Sequence, residues 1–395
     1  MFLNNRIIIL AALTALAPFA IDTYLPAFHQ IEIDLNSTSE FVQQTLTFYL
    51  IPYTLMTLFH GAISDSIGRL KTIFIGLTLF SIASIGCAFA QSIEMLWFFR
   101  MLQGLGGGAG NVVARAMVRD LYSGANAQKA MATVQMIFGI APAIAPVIGG
   151  LLLGFGWQSI FLFLMLYAIL ITYFAVKKLP ETINFHNKIP FNLNNILTRF
   201  KDLTLNQEFI FLVLAVSFNF SAFFLYVLAS PVFLVDLLGF SSSEFGFLFI
   251  PTVTGMILGS FLSRRAAGKI SSSSLLKFSY IWMLIIVSFN FILSNFFEPT
   301  PFLNIGLIAL YNIGMATAMP VLSLKALDCF QAMRGTAASG QAFSQMLTSS
   351  IVGGIVVPLL WTSLGELATG MMIIFFIGFY FVLKTRAWHY QNIDS

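Results

Sequence analysis

Twelve apolar runs, each long enough to cross a lipid bilayer, leave this chain few folds to choose from. They lie near residues 6–28, 41–63, 71–90, 94–116, 128–153, 157–176, 208–234, 243–263, 274–294, 302–324, 335–361 and 367–386. A helix needs about 20 residues to span a ~30 Å hydrocarbon core at 1.5 Å per residue. A membrane β-barrel would show shorter segments of alternating hydropathy, and these runs are unbroken. Composition agrees: 58% of the 395 residues are hydrophobic and 9% are charged, against about 25% charged in a soluble domain. So few charges could not cover the surface of a soluble protein this long. That excludes a cytosolic enzyme, a nucleic-acid-binding module and a disordered chain. The expected fold class is an all-α membrane protein with 12 transmembrane helices.

Charge placement tests the helix count. With the N-terminus inside, the inner side receives Arg6, Arg69, Lys71, Arg115, Arg119, Lys129, Lys177, Lys178, Lys188, Arg199 and Lys201. It also receives Arg264, Arg265, Lys269, Lys277, Lys325, Arg334, Lys384 and Arg386. The outer loops carry His29, Glu32, Asp34, Glu40, Glu94, Asp236, Glu244, Glu298 and Glu366, with no lysine or arginine. Nineteen of the 20 basic residues are then inside, with Arg100 the exception. A wrong number of spans would scramble this segregation. Both termini are expected in the cytoplasm. The net charge of +4 is scattered over short loops, so no nucleic-acid partner is expected.

A polar stretch from Lys177 to about Gln207 divides the chain near its middle. The expected organisation is an N-terminal six-helix bundle (1–176), a cytoplasmic linker (177–207) and a C-terminal six-helix bundle (208–395). A weak repeat supports two related halves. Gly61-Ala-Ile-Ser-Asp65-Ser-Ile-Gly68-Arg69 follows the second run, and Gly259-Ser-Phe-Leu-Ser-Arg264-Arg265-Ala-Ala-Gly268 follows the eighth, 198 residues on. Duplicated halves are frequent in secondary transporters.

Soluble chemistry finds little support. Cys87 and Cys329 suggest no disulfide framework, and His29, His60, His186 and His389 show no ligand spacing. No buried Ser–Lys set or acid pair suggests an enzyme. No cofactor, metal site or catalytic group is expected. Gly104 to Gly108 lacks the strand and the Lys-Ser/Thr of a phosphate loop. The first run is longer than a signal-peptide core and carries Asp22, so it reads as a retained helix.

Two charges fall inside the bilayer: Asp22 and Arg100. Asp22 lies about 22 Å along the first helix, and Arg100 about 10 Å down the fourth from the opposite side, so both occupy the outer half. Each costs at least ~2.5–3.5 kcal/mol to place at a helix centre. They read either as a structural salt bridge or as a proton or substrate site. Asp22 is the only acid well inside a run, and so the leading proton carrier. Burial raises a carboxylate's pKa and a neighbouring arginine lowers it, so motion between the two would change proton affinity. Around them at membrane depth lie Tyr49, Tyr53, Gln103, Asn111, Gln135, Asn219, Tyr226, Tyr311, Asn312, Gln341 and Gln345. Unpaired amides are disfavoured in lipid, so these face protein or water. Each can be a helix–helix hydrogen bond; as a set they can line a cavity. The 43 phenylalanines read as lipid-facing or packing residues.

Small residues thin the fourth helix at Gly104, Gly106, Gly107, Gly108 and Gly110. Gly139, Pro142, Pro146, Gly149, Gly150 and Gly154 do the same for the fifth. These read as static packing or as a hinge. Asp65 stands four residues before Arg69, a spacing that allows a pair on one helical face.

At these residues the chain resembles the major facilitator superfamily. Gly61-x-x-x-Asp65-x-x-Gly68-Arg69-x-Lys71 is similar to the family's loop motif between helices two and three. The resemblance implies that Gly61, Asp65, Gly68 and Arg69 form a conformational latch. Arg100-x-x-Gln103-Gly104 resembles the fourth-helix motif of proton-coupled members, which implies a role for Arg100 in coupling. Ala141-Pro142-Ala-Ile-Ala145-Pro146-Val-Ile-Gly149-Gly150 resembles the antiporter motif of helix five, with alanine where the family usually has glycine at 141 and 145. Ala17-Pro18-Phe-Ala-Ile-Asp22-Thr-Tyr24-Leu-Pro26 is similar to the first helix of the Bcr/CflA drug-resistance group. Arg115-Ala-Met-Val-Arg119-Asp120 and the stretch from Gly149 to Trp157-x-x-x-Phe161 also fit that group. The resemblance implies a monomeric proton antiporter of the bacterial inner membrane that expels small amphipathic toxic compounds. Its partners would be the substrate, protons and the bilayer. The alternatives are a dedicated exporter of a metabolite such as a siderophore, or a proton-driven nutrient importer.

Overall fold

A computed structural model describes residues 5–183, 193–230, 232–240, 246–298, 300–360 and 362–389. Lys188, His186 and Glu244, assigned above to a linker and an outer loop, lie outside the described residues, as does 184–192 of the linker. Long helices dominate. They are α1 Asn5–Asp22, α2 Ser39–Ile67, α3 Arg69–Ala88, α4 Ile93–Leu121, α5 Gly124–Leu153 and α6 Gln158–Lys178. They continue as α7 Gln207–Leu228, α8 Gly246–Ala266, α9 Ser272–Phe296, α10 Pro301–Asp328, α11 Arg334–Ile351 and α12 Leu364–Leu383. A shorter helix, Leu193–Leu205, precedes α7.

Among the described residues, 11 helical stretches are long and apolar enough to cross a membrane. The twelfth span is α4. At 29 residues it is long enough, but Glu94, Arg100, Arg115, Arg119, Asp120 and its glycines dilute its apolar character. The span that falls short in hydropathy is thus one that carries several candidate functional groups.

Local chemistry sets the helix ends. Thr38 caps α2 by accepting the Phe41 amide at 3.4 Å, and Asn206 caps α7 through Phe209 at 2.9 Å. Ser271 and Ser363 cap α9 and α12, each accepting an amide at 3.2 Å. Gly68 turns α2 into α3 at φ 109°, a conformation that disfavours a side chain. The first apolar run does not continue as one helix to residue 28. It breaks after Asp22, forms a 3₁₀ turn at Leu25–Ala27 containing Pro26, and resumes as Phe28–Asp34. Proline has no N–H to extend the ladder, so Asp22 sits at a helix end. The Trp157 indole donates to the Asp34 carboxylate at 3.0 Å and fixes this returning segment.

The chain divides into two compact units. One comprises 1–121, 140–200 and 331–343; the other comprises 122–139, 201–330 and 344–395. In the first, α4 packs on α1, α2 and α3, and α6 packs on α1 and α3. In the second, α10 packs on α7, α8 and α9, and α12 packs on α7 and α9. The scheme is identical with an offset of six helices, which gives the faint repeat at Gly61 and Gly259 a structural counterpart. The glycines of α4 make it a hub by removing side chains on three sides. Gly104 lies against the Tyr49 backbone of α2, Gly106 against Gly76 of α3, and Gly110 against Leu13 of α1.

Candidate functional site

Three polar constellations stand out in the first unit. At the α2–α3 turn, Arg69 is 1% exposed and sits between two carboxylates. Its Nη1 meets Asp65 Oδ1 at 2.7 Å and its Nε meets Asp120 Oδ2 at 3.1 Å. Asp120 also accepts from Arg334 Nη1 at 3.2 Å and from the Thr182 hydroxyl at 2.8 Å. Asp65 reaches the first turn of α11. It accepts the amides of Gly335 and Thr336 at 3.1 and 2.8 Å, and the Thr336 hydroxyl at 2.7 Å. The N-terminal amides of a helix lack partners within it and carry a positive end charge. Asp65 therefore caps a helix 270 residues away.

Close backbone approach makes that contact possible. A Cβ on Gly61 would overlap the Gly335 carbonyl, and the Gly61 amide donates to Ser339 Oγ at 2.8 Å. Glu181 completes the turn by accepting the α3 amides of Arg69 and Leu70 at 2.9 and 3.1 Å. A side chain on Gly68 would lie 2.7 Å from the Glu181 carboxylate. Arg199, on the short helix Leu193–Leu205, is also buried here. Burial lowers its pKa, and the charge of Asp65 draws it back up. All four expected latch residues meet here. Glu181, Asp120, Thr336 and Arg199 carried no such expectation, since their contribution depends on contacts remote in sequence.

The second constellation surrounds Arg100, which is fully buried. Its Nη1 donates to the Ala20 carbonyl of α1 at 3.2 Å and to Gln103 Oε1 at 2.7 Å. Gln103 passes the polarity on, donating Nε2 to Ser84 Oγ at 2.7 Å. The guanidinium lies 4.8 Å from the centre of the Tyr24 ring and 4.5 Å from that of Tyr49, within cation–π range. Nε and Nη2 have no hydrogen-bond partner, and neither has the Tyr49 hydroxyl. Asp22 is half-buried two residues beyond Ala20. Among the described residues Asp22 makes no salt bridge, so Arg100 reaches α1 through a carbonyl and not through the expected carboxylate. Tyr24 and Phe161, which frame the cation, were legible only as parts of a motif.

The third lies lower on α4, where Asn111 Nδ2 donates to Tyr53 Oη at 3.2 Å. Arg115, assigned from sequence to the flank of a loop, is buried beside them within the helix. Pro142, Pro146, Gly149 and Gly150 all fall within α5. A Cβ on Gly149 would overlap the Thr23 backbone just beyond α1, whereas one on Gly150 meets nothing. Gln341 is buried in the first turns of α11. An open cavity of ≈ 630 Å³ at the start of α2 is lined by Phe28, Glu40, Gln43, Gln44, Leu46 and Thr47; none of the expected cavity residues belongs to it.

In the second unit Asn219, Tyr226, Tyr311 and Asn312 make hydrogen bonds between helices. Asn219 donates to the Tyr280 hydroxyl, and Tyr311 Oη donates to the Asn219 carbonyl at 3.1 Å. Asn290 Nδ2 donates to Tyr226 Oη at 3.0 Å, and Asn312 Nδ2 to the Thr252 carbonyl at 3.2 Å. The side-chain oxygens of Asn219 and Asn312 and Nε2 of Gln135 are buried and unpartnered. Gln345 is buried too.

Comparison with known proteins agrees with this architecture. The family model described as Major Facilitator Superfamily matches residues 10–358. The Bicyclomycin resistance protein homolog of Haemophilus influenzae is 29% identical, over 98% of this chain and 97% of its own. Multidrug resistance protein D of Escherichia coli is 28% identical, over 92% of this chain and 91% of its own. Among solved structures, the proton:xylose symporter XylE bound to 6-bromo-6-deoxy-D-glucose superposes with a TM-score of 0.73 at 13% identity. That match covers 96% of this chain and 95% of the other, and it speaks to the fold.

Proposed function

The chain belongs to the Major Facilitator Superfamily, and from that membership we propose that it exports small amphipathic toxic compounds in exchange for protons. It is a multi-pass membrane protein and a transporter, not an enzyme. Two similar proteins carry bicyclomycin resistance and multidrug resistance in their names, which supports an exporter of drug-like compounds. Residence in the bacterial inner membrane as a monomer is part of the proposal and rests on the family, while the cytoplasmic placement of both termini rests on the distribution of lysine and arginine.

The observation that carries the reading is the nest around Arg100. A buried cation with two nitrogens lacking partners stands beside α1, whose Asp22 makes no salt bridge among the described residues. Ionisable residues inside membranes are costly, and they mark proton and substrate paths. Asp22 carries the proton in this proposal, and its proton affinity depends on how close Arg100 stands. Substrate contacts fall to Tyr49, Gln103, Asn111, Gln135, Asn219, Tyr226, Asn312, Gln341 and Gln345. Gly61, Asp65, Gly68 and Arg69 form the latch, and Pro142, Pro146, Gly149 and Gly150 the α5 element typical of antiporters.

The test uses inside-out vesicles carrying the wild type or Asp22→Asn. A proton gradient is imposed, and drugs and siderophores are added singly while its dissipation is followed. The expected outcome is compound-triggered proton leak in the wild type and none in the variant. An equal response in both removes Asp22 from the mechanism, and flux in the opposite direction overturns export.

A further inference from the structure

Arg115 follows Arg100 by fifteen positions on α4, and it too is buried. It is 5% exposed, and its Nη1 has no hydrogen-bond partner. Among the described residues it makes no salt bridge, and the titratable side chain beside it is the phenol of Tyr53. Asn111, one turn earlier and 4% exposed, holds that phenol by donating to its oxygen at 3.2 Å. Having accepted this bond, Tyr53 keeps its own proton to donate. The result is a buried cluster of polar groups around one cation, in which Arg115 Nη1 and Asn111 Oδ1 have no hydrogen-bond partner and no carboxylate pairs with the arginine among the described residues. Arg69 shows the contrast: equally buried, it is matched by two carboxylates. Unmatched buried charge is expensive, and in a transporter it is retained where a partner arrives and leaves.

We propose that Arg115 and Tyr53, positioned by Asn111, form a subsite for a carboxylate or sulfonate group on the transported compound. The substrate class is then an apolar body bearing one anionic group. The guanidinium offers two parallel N–H donors to such a group, and the phenol offers a third. This rests on the transporter reading given under Proposed function and specifies its substrate.

The experiment compares two probes that share a ring system, anilinonaphthalene sulfonate and neutral N-phenylnaphthylamine. Each is bound at equilibrium to the full chain in nanodiscs, with empty nanodiscs as blank. The wild type is expected to bind the sulfonate about tenfold or more tighter than the amine. Arg115→Gln is expected to abolish that preference and leave amine binding within about twofold. Arg115→Lys keeps the charge but not the fork, and should retain only part of the preference. It keeps the test decisive if the glutamine variant does not fold. No preference in the wild type, a preference that survives both variants, or one lost only in Arg100→Gln overturns the subsite. The vesicle assay separates the two readings. Drug-triggered proton leak with no sulfonate preference sinks the subsite and leaves export standing. Arg115-dependent sulfonate binding without proton leak for any compound does the reverse.

Discussion

Asp65 binds Thr336 twice, taking its amide at 2.8 Å and its hydroxyl at 2.7 Å on the same carboxylate oxygen. Hydrogen bonds to a charged group are worth about 1.5–3 kcal/mol each. Thr336→Val removes the hydroxyl and keeps the amide and the shape, so a loss in that range is expected. Asp65→Ala removes the carboxylate's three bonds to α11 and leaves Arg69 with Asp120 as its carboxylate partner. Breaking a buried pair costs about 3–5 kcal/mol, so Asp65→Ala should lower the thermal unfolding midpoint in detergent more than Thr336→Val. Equal midpoints for the two variants would contradict the capping role of the carboxylate.

Glycine substitutions separate packing from mere sequence pattern. Gly61→Ala and Gly149→Ala each push a methyl group into a facing backbone, and Gly150→Ala pushes one into open space. Overpacking costs about 1–3 kcal/mol. The first two variants should therefore lose stability and transport, while Gly150→Ala stays close to wild type. Thermal midpoints alongside vesicle proton leak would check this, and a damaging Gly150→Ala would refute the steric account.

Glu181 holds two amides of the first turn of α3. Loss of a helix cap typically costs about 1 kcal/mol. Glu181→Ala is expected to cost that much, and Glu181→Gln less, because the amide oxygen still accepts one bond. Hydrogen exchange at Arg69 and Leu70 reads the effect directly. Unchanged protection in Glu181→Ala would rule the cap out.

The Cys329 thiol is pushed up to about 11, chiefly by burial, with the charges of Glu208 and Asp328 adding to it. A raised thiol pKa means the neutral form prevails at pH 7, with roughly one thiolate in ten thousand. Maleimide labelling should be slow at pH 7 and accelerate about tenfold per pH unit towards pH 11. Fast labelling at pH 7 in the folded protein would disprove this environment. Cys87 is fully buried and should stay unlabelled throughout.

Hydropathy and charge placement were enough to read the helix count, because lipid demands long apolar spans and keeps lysine and arginine on one side. The Asp65–Arg69 pair was legible because it is local in sequence, while a latch at Gly61 to Arg69 was implied only by the family resemblance. The partners that complete it were hidden. Thr336 and Glu181 carry no local signal, being an ordinary helix residue and a loop acid until the fold brings them to Asp65 and α3. The burial of Arg115 was not legible, because charge counting assigns a basic residue near a helix end to one side of the bilayer and says nothing of whether the protein covers it. Asp22 and Arg100 are legible as charges within apolar runs, but depth along two helices does not reveal that the guanidinium stops at the Ala20 carbonyl.

The distance in sequence between Asp65 and the start of α11 also sets a timetable. A ribosome adds roughly 5–20 residues per second. The 270 residues between Asp65 and Gly335 therefore keep the carboxylate waiting for tens of seconds. Meanwhile α4, the hub of the first unit, has already been delivered, and Arg69 and Asp120 can hold Asp65 in place. The turn made early in synthesis is finished only when one of the last helices emerges. A truncated chain ending before Arg334 would leave Asp65 without the amides and the hydroxyl that complete its hydrogen bonding.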